Sequence, residues 1–246
     1  MRNYKEELDK RIKFVQEKLS ESGASGIIYG NSGGKDCALV GIICKMACEN
    51  TEGIIMPCAS KRNFGEDMED GLAVARQFNI KNRTIDLTSA KELFLNILEP
   101  QTKLNNQAVS NIAPRLRMIT LYAVGAAENR LVAGTGNRSE AYMGYFTKWG
   151  DGAYDFDPIY DLTVGEVYEF LEYLGAPENI IKKAPSAGLF EGQTDEAEMG
   201  VSYAAIDKYI LTGEARPEDK EIIDRYHKRS GHKRKMPDVY GGRKDG

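Results

Sequence analysis

Histidine is almost absent from this chain. Only His227 and His232 occur in 246 residues, which leaves a histidine-built zinc site or a Ser-His-Asp triad little to draw on. The four cysteines, at 37, 44, 48 and 58, lie in or beside apolar stretches. Cys44 and Cys48 are one helical turn apart, but no second pair and no nearby histidine completes a tetrahedral set. Buried, reduced thiols are therefore expected. Also missing is any run of about 18 apolar residues, which removes a membrane-spanning helix from consideration. The opening MRNYKEELDKRIKF is charged and amphipathic, unlike a signal peptide, so a cytoplasmic location and no membrane partner are expected. Acidic side chains outnumber basic ones, 37 to 33, which argues against nucleic acid as the main partner.

What is present is an alternation of short apolar strands with longer amphipathic helices. Leu8, Ile12, Val15 and Leu19 recur at helical spacing over 4–20. Strands are expected at 26–29, 53–56, 82–85 and 130–133, and helices at about 37–48, 66–78, 89–98 and 112–129. Residues 101–111 are polar and are expected to form a loop. Further helices are expected at 165–174, 178–183, 196–211 and 217–228. The pattern predicts an α/β fold: a Rossmann-like open parallel sheet with helices on both faces, in a single domain over 1–246. Helix 112–129 is apolar nearly all round, which predicts deep burial or a covering second subunit.

The most informative stretch is GIIYGNSGGKDC at 26–37. An apolar strand runs through a tight glycine turn into a helix, presenting free backbone N–H groups and a positive dipole end to an anion. Two adjacent glycines let the backbone approach a phosphate without a Cβ in the way. The Walker spacing is absent, and so is a GxGxxG at this turn. What lifts the loop above an ordinary glycine turn is its company: Ser32 before the glycines, Lys35 and Asp36 after them.

SGGKD resembles the SGGxDS pyrophosphatase loop of enzymes that split ATP between its α and β phosphates and transfer AMP. The second half of the chain narrows the resemblance. R-x-R-M at 115–118, GTGNRSE at 134–140, GY-x-TK-x-GDG at 144–152, PSAGL at 185–189, GQTDE at 192–196 and HKRKMP at 232–237 occur together and in order. From about residue 8 onward the chain resembles the ammonia-type NAD synthetases, with an adenine nucleotide alpha hydrolase-like fold. That resemblance implies amidation of deamido-NAD⁺ with ammonia and ATP, through an adenylated carboxylate, with Mg²⁺ as cofactor. It also implies a homodimer, with deamido-NAD⁺ near the subunit interface and helix 112–129 as an interface element.

Carried over position by position, the resemblance puts ATP on Gly30, Asn31, Ser32, Gly33, Gly34, Lys35, Asp36 and Cys37, with Ser32 and the loop amides on pyrophosphate. Met56 stands where the adenine is read, and Thr135 and Ser186 at further ATP contacts. Asp36 and Glu140 should hold Mg²⁺. Taken alone, an aspartate at a helix start is more often a cap, and Glu140 reads as a solvated helix-start acid. Arg115, Lys148, Asp155, His232 and Lys233 fall on deamido-NAD⁺ positions, and Asp151 is placed to orient ammonium or accept its proton. Trp149 is open to core packing or to stacking on a ligand ring. Residues 185–193 resemble a lid that orders on substrate binding.

Two departures stand out. The family's closing loop serine is Cys37 here, a poorer hydrogen-bonding group, which predicts reduced affinity rather than lost activity. Its L-x-K lysine is Val164, so Lys35, Lys182 or Lys183 supplies the missing charge, or ATP binds more weakly. The rival functions are another adenylating amidase or thiolase with the same loop, or a nucleotide-binding regulator without catalysis. The amidohydrolase domain of glutamine-dependent relatives is not expected here, which leaves ammonia as the donor and a separate glutaminase subunit open.

Overall fold

In the computed structural model, residues 2–58, 65–182 and 195–241 are described. Helix α1 (Tyr4–Ser22) starts where the Asn3 side chain accepts the Glu6 amide and ends at Gly23 in the left-handed conformation. It seats Val15 in the core, buries Arg11 where it donates to the Pro158 carbonyl and Asp161, and leaves most of its other charges to water. Strand β1 (Gly26–Gly30) follows, then α2 (Lys35–Ala47), whose turns from Cys37 to Cys44 are buried throughout. The next units are β2 (Thr51–Ile55), α3 (Glu66–Gln77), β3 (Lys81–Thr84) and α4 (Thr88–Leu98). They lead through α5 (Asn106–Ser110) and α6 (Ile112–Glu128) to β4 (Arg130–Ala133).

All strand pairs are parallel, in the order β3-β2-β1-β4. Pleating sends Ile27 and Tyr29 to one face, into a core with α1 and α2. It sends Ile28 to the other, against Leu116, Leu121 and Val124 of α6. The expected open parallel sheet with helices on both faces is thus observed. The chain leaves β1 toward β2 on one side and reaches β4 on the other, so the loops at the carboxyl ends of β1 and β4 diverge and open a crevice. The chain continues through α7 (Arg138–Met143), α8 (Val164–Tyr173), α9 (Glu178–Ile181), α10 (Asp195–Met199), α11 (Tyr203–Thr212) and α12 (Pro217–Arg229), of which α8 and α9 pack on α2 while α7, α10 and α12 bring residues to the crevice.

Some local expectations change. The polar 101–111 segment contains α5, because the Asn105 side chain caps the Ala108 amide. The helix expected over 196–211 is two helices, broken at Gly200, whose φ is +76°. Strand β2 begins at Thr51 rather than 53, and so buries Glu52 to 1 % exposure. Glu52 is tolerated there because Arg83 donates to both its oxygens (2.8 and 2.7 Å) and Arg130 donates at 2.6 Å. Helix α6 is not deeply buried: only Ile112, Ala113 and Gly125 are, and Ile119 is 57 % exposed. Neighbouring α4 buries nothing and exposes Leu93, Phe94 and Ile97. The four cysteines are unbridged, with Cys48 half-buried and the others buried. No helix among the described residues is long and apolar enough to cross a membrane.

The Arg83 hydrogen bonds hold the Glu52 carboxyl below its ordinary range, so its contribution is complete at neutral pH and is lost as pH falls through the lowered value. Removing one partner of a buried pair strands charge at a cost of about 3–5 kcal/mol. Glu52→Ala should sit near the low end, about 3 kcal/mol, since Glu128 still pairs both arginines. A urea midpoint at pH 7 reads the loss.

Candidate active site

The loop at the end of β1 is held from several sides. Asn31, almost fully buried, accepts the Gly33 amide (3.2 Å) and donates to the Gly71 carbonyl and Asn82 Oδ1. Gly33 has φ +72°, and a Cβ there would lie 1.9 Å from the Asp67 carbonyl oxygen, so only glycine fits. The cap of α2 is Gly34, with no side chain accepting the first amides. Asp36 is therefore not the cap but the second residue of the helix. The Cys37 thiol faces inward: its Sγ lies 2.8 Å from Ser32 Oγ and accepts the Ser32 amide at 3.4 Å. Burial pushes that thiol's pKa up, so it acts as a neutral brace for Ser32.

Below the loop, charges converge. Lys35, 7 % exposed, places Nζ 2.7 Å from Asp36 Oδ2 and 3.9 Å from Glu140 Oε1. Its ammonium also sits 5.9 Å from the ring centres of Tyr168 and Tyr203. Fully buried Asn137 caps α7 in a reciprocal box with Glu140 and donates to Asp36 Oδ1 at 3.1 Å. Burial, reinforced by Asp36, pushes the Glu140 carboxyl up, with Lys35 opposing. Asp157 accepts the Gly136 and Ile159 amides, and burial pushes it up to about 7.

Lys35, Asp36, Glu140 and Tyr168 floor a cleft of about 1140 Å³, above the range usual for one small ligand. Gly30, Asn31, Ser32, Gly34, Lys35, Asp36, Cys37, Met56, Thr135, Glu140, Lys148, Asp151, His232 and Lys233 all line it. Gly33 does not, being pressed on Asp67. Arg115 lies outside it, exposed, and donates to the Lys148 carbonyl at 3.3 Å. Asp155 also lies outside: it extends the edge of β4 by accepting the Val132 amide at 2.8 Å. Ser186, Lys183 and the 185–193 segment fall outside the described residues.

The far wall joins the chain's two late segments. Lys148 donates to the His232 carbonyl (2.7 Å), and Lys233 to the Gly144 and Phe146 carbonyls (2.8 and 2.6 Å). Trp149 is no core residue: it lines the cleft, 47 % exposed, with φ +61°. Asp151 accepts the Thr147 amide, and the surrounding cleft walls push its carboxyl up while Lys233 and Arg117 pull it down. Of the lysines offered to replace the charge lost at Val164, Lys182 is exposed and paired with Glu178, whereas Lys35 lies in the cleft. Val164 itself is buried among Met143, Met199 and Ile206.

Sequence reasoning left out Arg117 and Asp195, which line this cleft, and buried Asn137, which holds Asp36 from behind it. Arg117 lines the cleft and donates to the Met56 carbonyl (3.0 Å), and its place in R-x-R-M was a signal to weigh. Asp195, 4 % exposed, accepts from the Tyr203 hydroxyl at 3.2 Å.

A glycine loop opening a helix at the strand-order switch, with two carboxylates and a lysine beneath it, is the arrangement of a nucleotide-binding α/β protein, and comparison with known proteins makes it a ligase. The family model described as NAD synthase matches residues 7–240. The chain is 48 % identical to the NH₃-dependent NAD⁺ synthetase of Carboxydothermus hydrogenoformans, over 96 % of this chain and 98 % of that protein. Among solved structures, the NMN synthetase of Francisella tularensis superposes with a TM-score of 0.92 at 38 % identity, covering 98 % of this chain and all of that one. The NH₃-dependent NAD synthetase of Campylobacter jejuni, solved with nitrate, gives 0.78 at 31 % identity, over 97 % and 99 %. The chain belongs to the NAD synthase family.

Cys37→Ser keeps a short group against Ser32 and should preserve or raise turnover, read as kcat/KM for ATP. A total loss would mean the thiol is not a brace. For Asp157, the unfolded chain ionises near the ordinary aspartate value and the folded one near 7, so stability falls as pH rises across that window. Asp157→Asn should flatten that fall in thermal melts from pH 5 to 8.

Proposed function

We propose that this chain amidates the carboxylate of deamido-NAD⁺ with ammonia, consuming ATP and giving NAD⁺, AMP and pyrophosphate. One observation carries the reading: a single cleft is lined both by the loop residues Ser32 and Gly34 to Cys37 and by the Lys148, Asp151, His232 and Lys233 wall. A nucleotide's phosphates and an acceptor carboxylate can meet there. The carboxylate oxygen attacks the α phosphorus and pyrophosphate leaves into the loop. Ammonia then attacks the acyl carbon, gives up a proton, and AMP departs.

The chain's own groups divide the work. The open amides at the start of α2 and Ser32 take the departing pyrophosphate. Arg117 and Lys35 bring positive charge to the floor, where charge develops in the transition state. Asp151, on the cleft wall with its carboxyl pushed up from the ordinary aspartate value, would orient ammonia and accept its proton. Among the described residues no cluster of three metal-ligating side chains exists. Two carboxylates facing one cation suit Mg²⁺, which takes one or two protein carboxylates and completes its shell with phosphate oxygens and water. Asp36 and Glu140 would hold it, and it would supply charge neutralisation on the polyphosphate.

A homodimer belongs to the same reading, supported by exposed Ile119 on α6 beside Leu93, Phe94 and Ile97 of α4. One domain over 1–246 carries the activity, and four unbridged thiols fit a reducing cytoplasm. A second reading, amidation of the corresponding mononucleotide, is favoured by the higher TM-score to the Francisella NMN synthetase, 0.92 against 0.78.

Purified protein given ATP, Mg²⁺, ammonium and deamido-NAD⁺ should form NAD⁺ and AMP in equal amounts. Faster turnover of the mononucleotide acid would move the substrate to the second reading, and ATP binding without AMP would leave only a regulator. Asp151→Asn should slow the amidation step about 100-fold while a pyrophosphate burst persists. Phe94→Asp with Ile119→Asp should halve the apparent mass on gel filtration.

A further inference from the structure

Lys35 is placed unlike any other lysine described here. It is the first residue of α2, 7 % exposed, and its ammonium lies between the Asp36 and Glu140 carboxylates at 2.7 and 3.9 Å. The Tyr168 and Tyr203 rings close two further sides at 5.9 Å, where ring faces favour a cation. Taking an ammonium out of water is costly unless it is paired, and here two acids do the pairing. Held between two acids, it is an ammonium paired on both sides.

The same carboxylates are the pair assigned to Mg²⁺. Two cations cannot share them cheaply, because a monovalent and a divalent charge a few ångströms apart repel strongly in a partly dry site. A lysine, with its flexible four-carbon stem, can leave where a helix backbone cannot. The nearest destination for its charge is the polyphosphate cradle, formed by the amides next to it in sequence.

We propose that Lys35 is an internal counter-cation that exchanges with the metal. In the free protein it neutralises Asp36 and Glu140 and keeps a bare divalent cation out. When a metal–nucleotide complex enters, the ammonium moves from the carboxylates onto the phosphates and the metal takes its place. Metal and nucleotide therefore bind together rather than in sequence. The assignment rests on the metal-holding reading of Asp36 and Glu140.

The test measures Mn²⁺ binding by its solution EPR signal, first with the metal alone and then with α,β-methylene-ATP. Wild type and Lys35→Arg should bind Mn²⁺ alone weakly. Lys35→Met, of similar length without charge, should bind it roughly tenfold more tightly or better. With the analogue, wild type should bind Mn²⁺ tightly, and Lys35→Met should bind the analogue roughly tenfold more weakly. Mn²⁺ alone should also raise the melting temperature of Lys35→Met but not of wild type, which shows that the variant folds and that the metal meets its carboxylates. Unchanged Mn²⁺ affinity in a folded Lys35→Met, with wild type still binding the metal–nucleotide through Asp36, overturns the exchange. If Asp36→Asn and Glu140→Gln leave Mn²⁺ binding with the analogue intact, the metal reading itself fails.

Discussion

Three charges at the carboxyl ends of β1 and β4, Asp36, Lys35 and Glu140, set the terms for everything above the sheet. Two acids and one ammonium drawn out of water require close partners, and the fold supplies them from distant parts of the chain. Asn137, 101 residues beyond Asp36, reaches across the crevice to hold it while capping the helix that carries Glu140. Tyr168 of α8 and Tyr203 of α11 flank the ammonium, and the Tyr203 hydroxyl binds Asp195 of α10. The late helices are thus more than a cover for the sheet. They keep water thin around a charge cluster whose interactions would be weak in bulk solvent.

That arrangement suits a reaction whose difficulty is electrostatic. Bringing an anionic carboxylate to an anionic phosphate demands positive charge and N–H groups placed in advance. The loop offers amides, Lys35 and Arg117 offer charge, and the opposite wall commits Lys148 and Lys233 to backbone carbonyls. Those two lysines therefore set the shape of the wall as much as its charge.

What the sequence made legible is what local spacing determines. The strand-turn-helix at 26–37 was readable because its chemistry lies within one turn of chain. So was the parallel sheet, through the alternation of strand and helix. Side-chain direction was not. Arg115 and Asp155 sit next to cleft residues in sequence, but one points along the surface and the other pairs with the β4 backbone. The burial of Glu52 was hidden because its partners, Arg83 and Arg130, come from two other strands. Asn137 looked like an ordinary helix cap, and nothing local announces that it reaches Asp36. Helix α6 misled for the opposite reason: its composition suits burial, whereas one copy of the chain covers only part of it.

Gly33 carries a consequence beyond the loop itself. With the Asp67 carbonyl occupying the space a side chain would need, the start of α3 and the phosphate loop are in direct contact. The loop is also tied to β2, since the Asn31 amide donates to the Ile54 carbonyl and Gly30 lies against the Met56 side chain. The Met56 end of the cleft, the proposed base site, and the glycine loop, the proposed phosphate site, therefore belong to one stiff body. On the proposed reading such a body is a ruler, setting the span from base to phosphate that a bound nucleotide has to match.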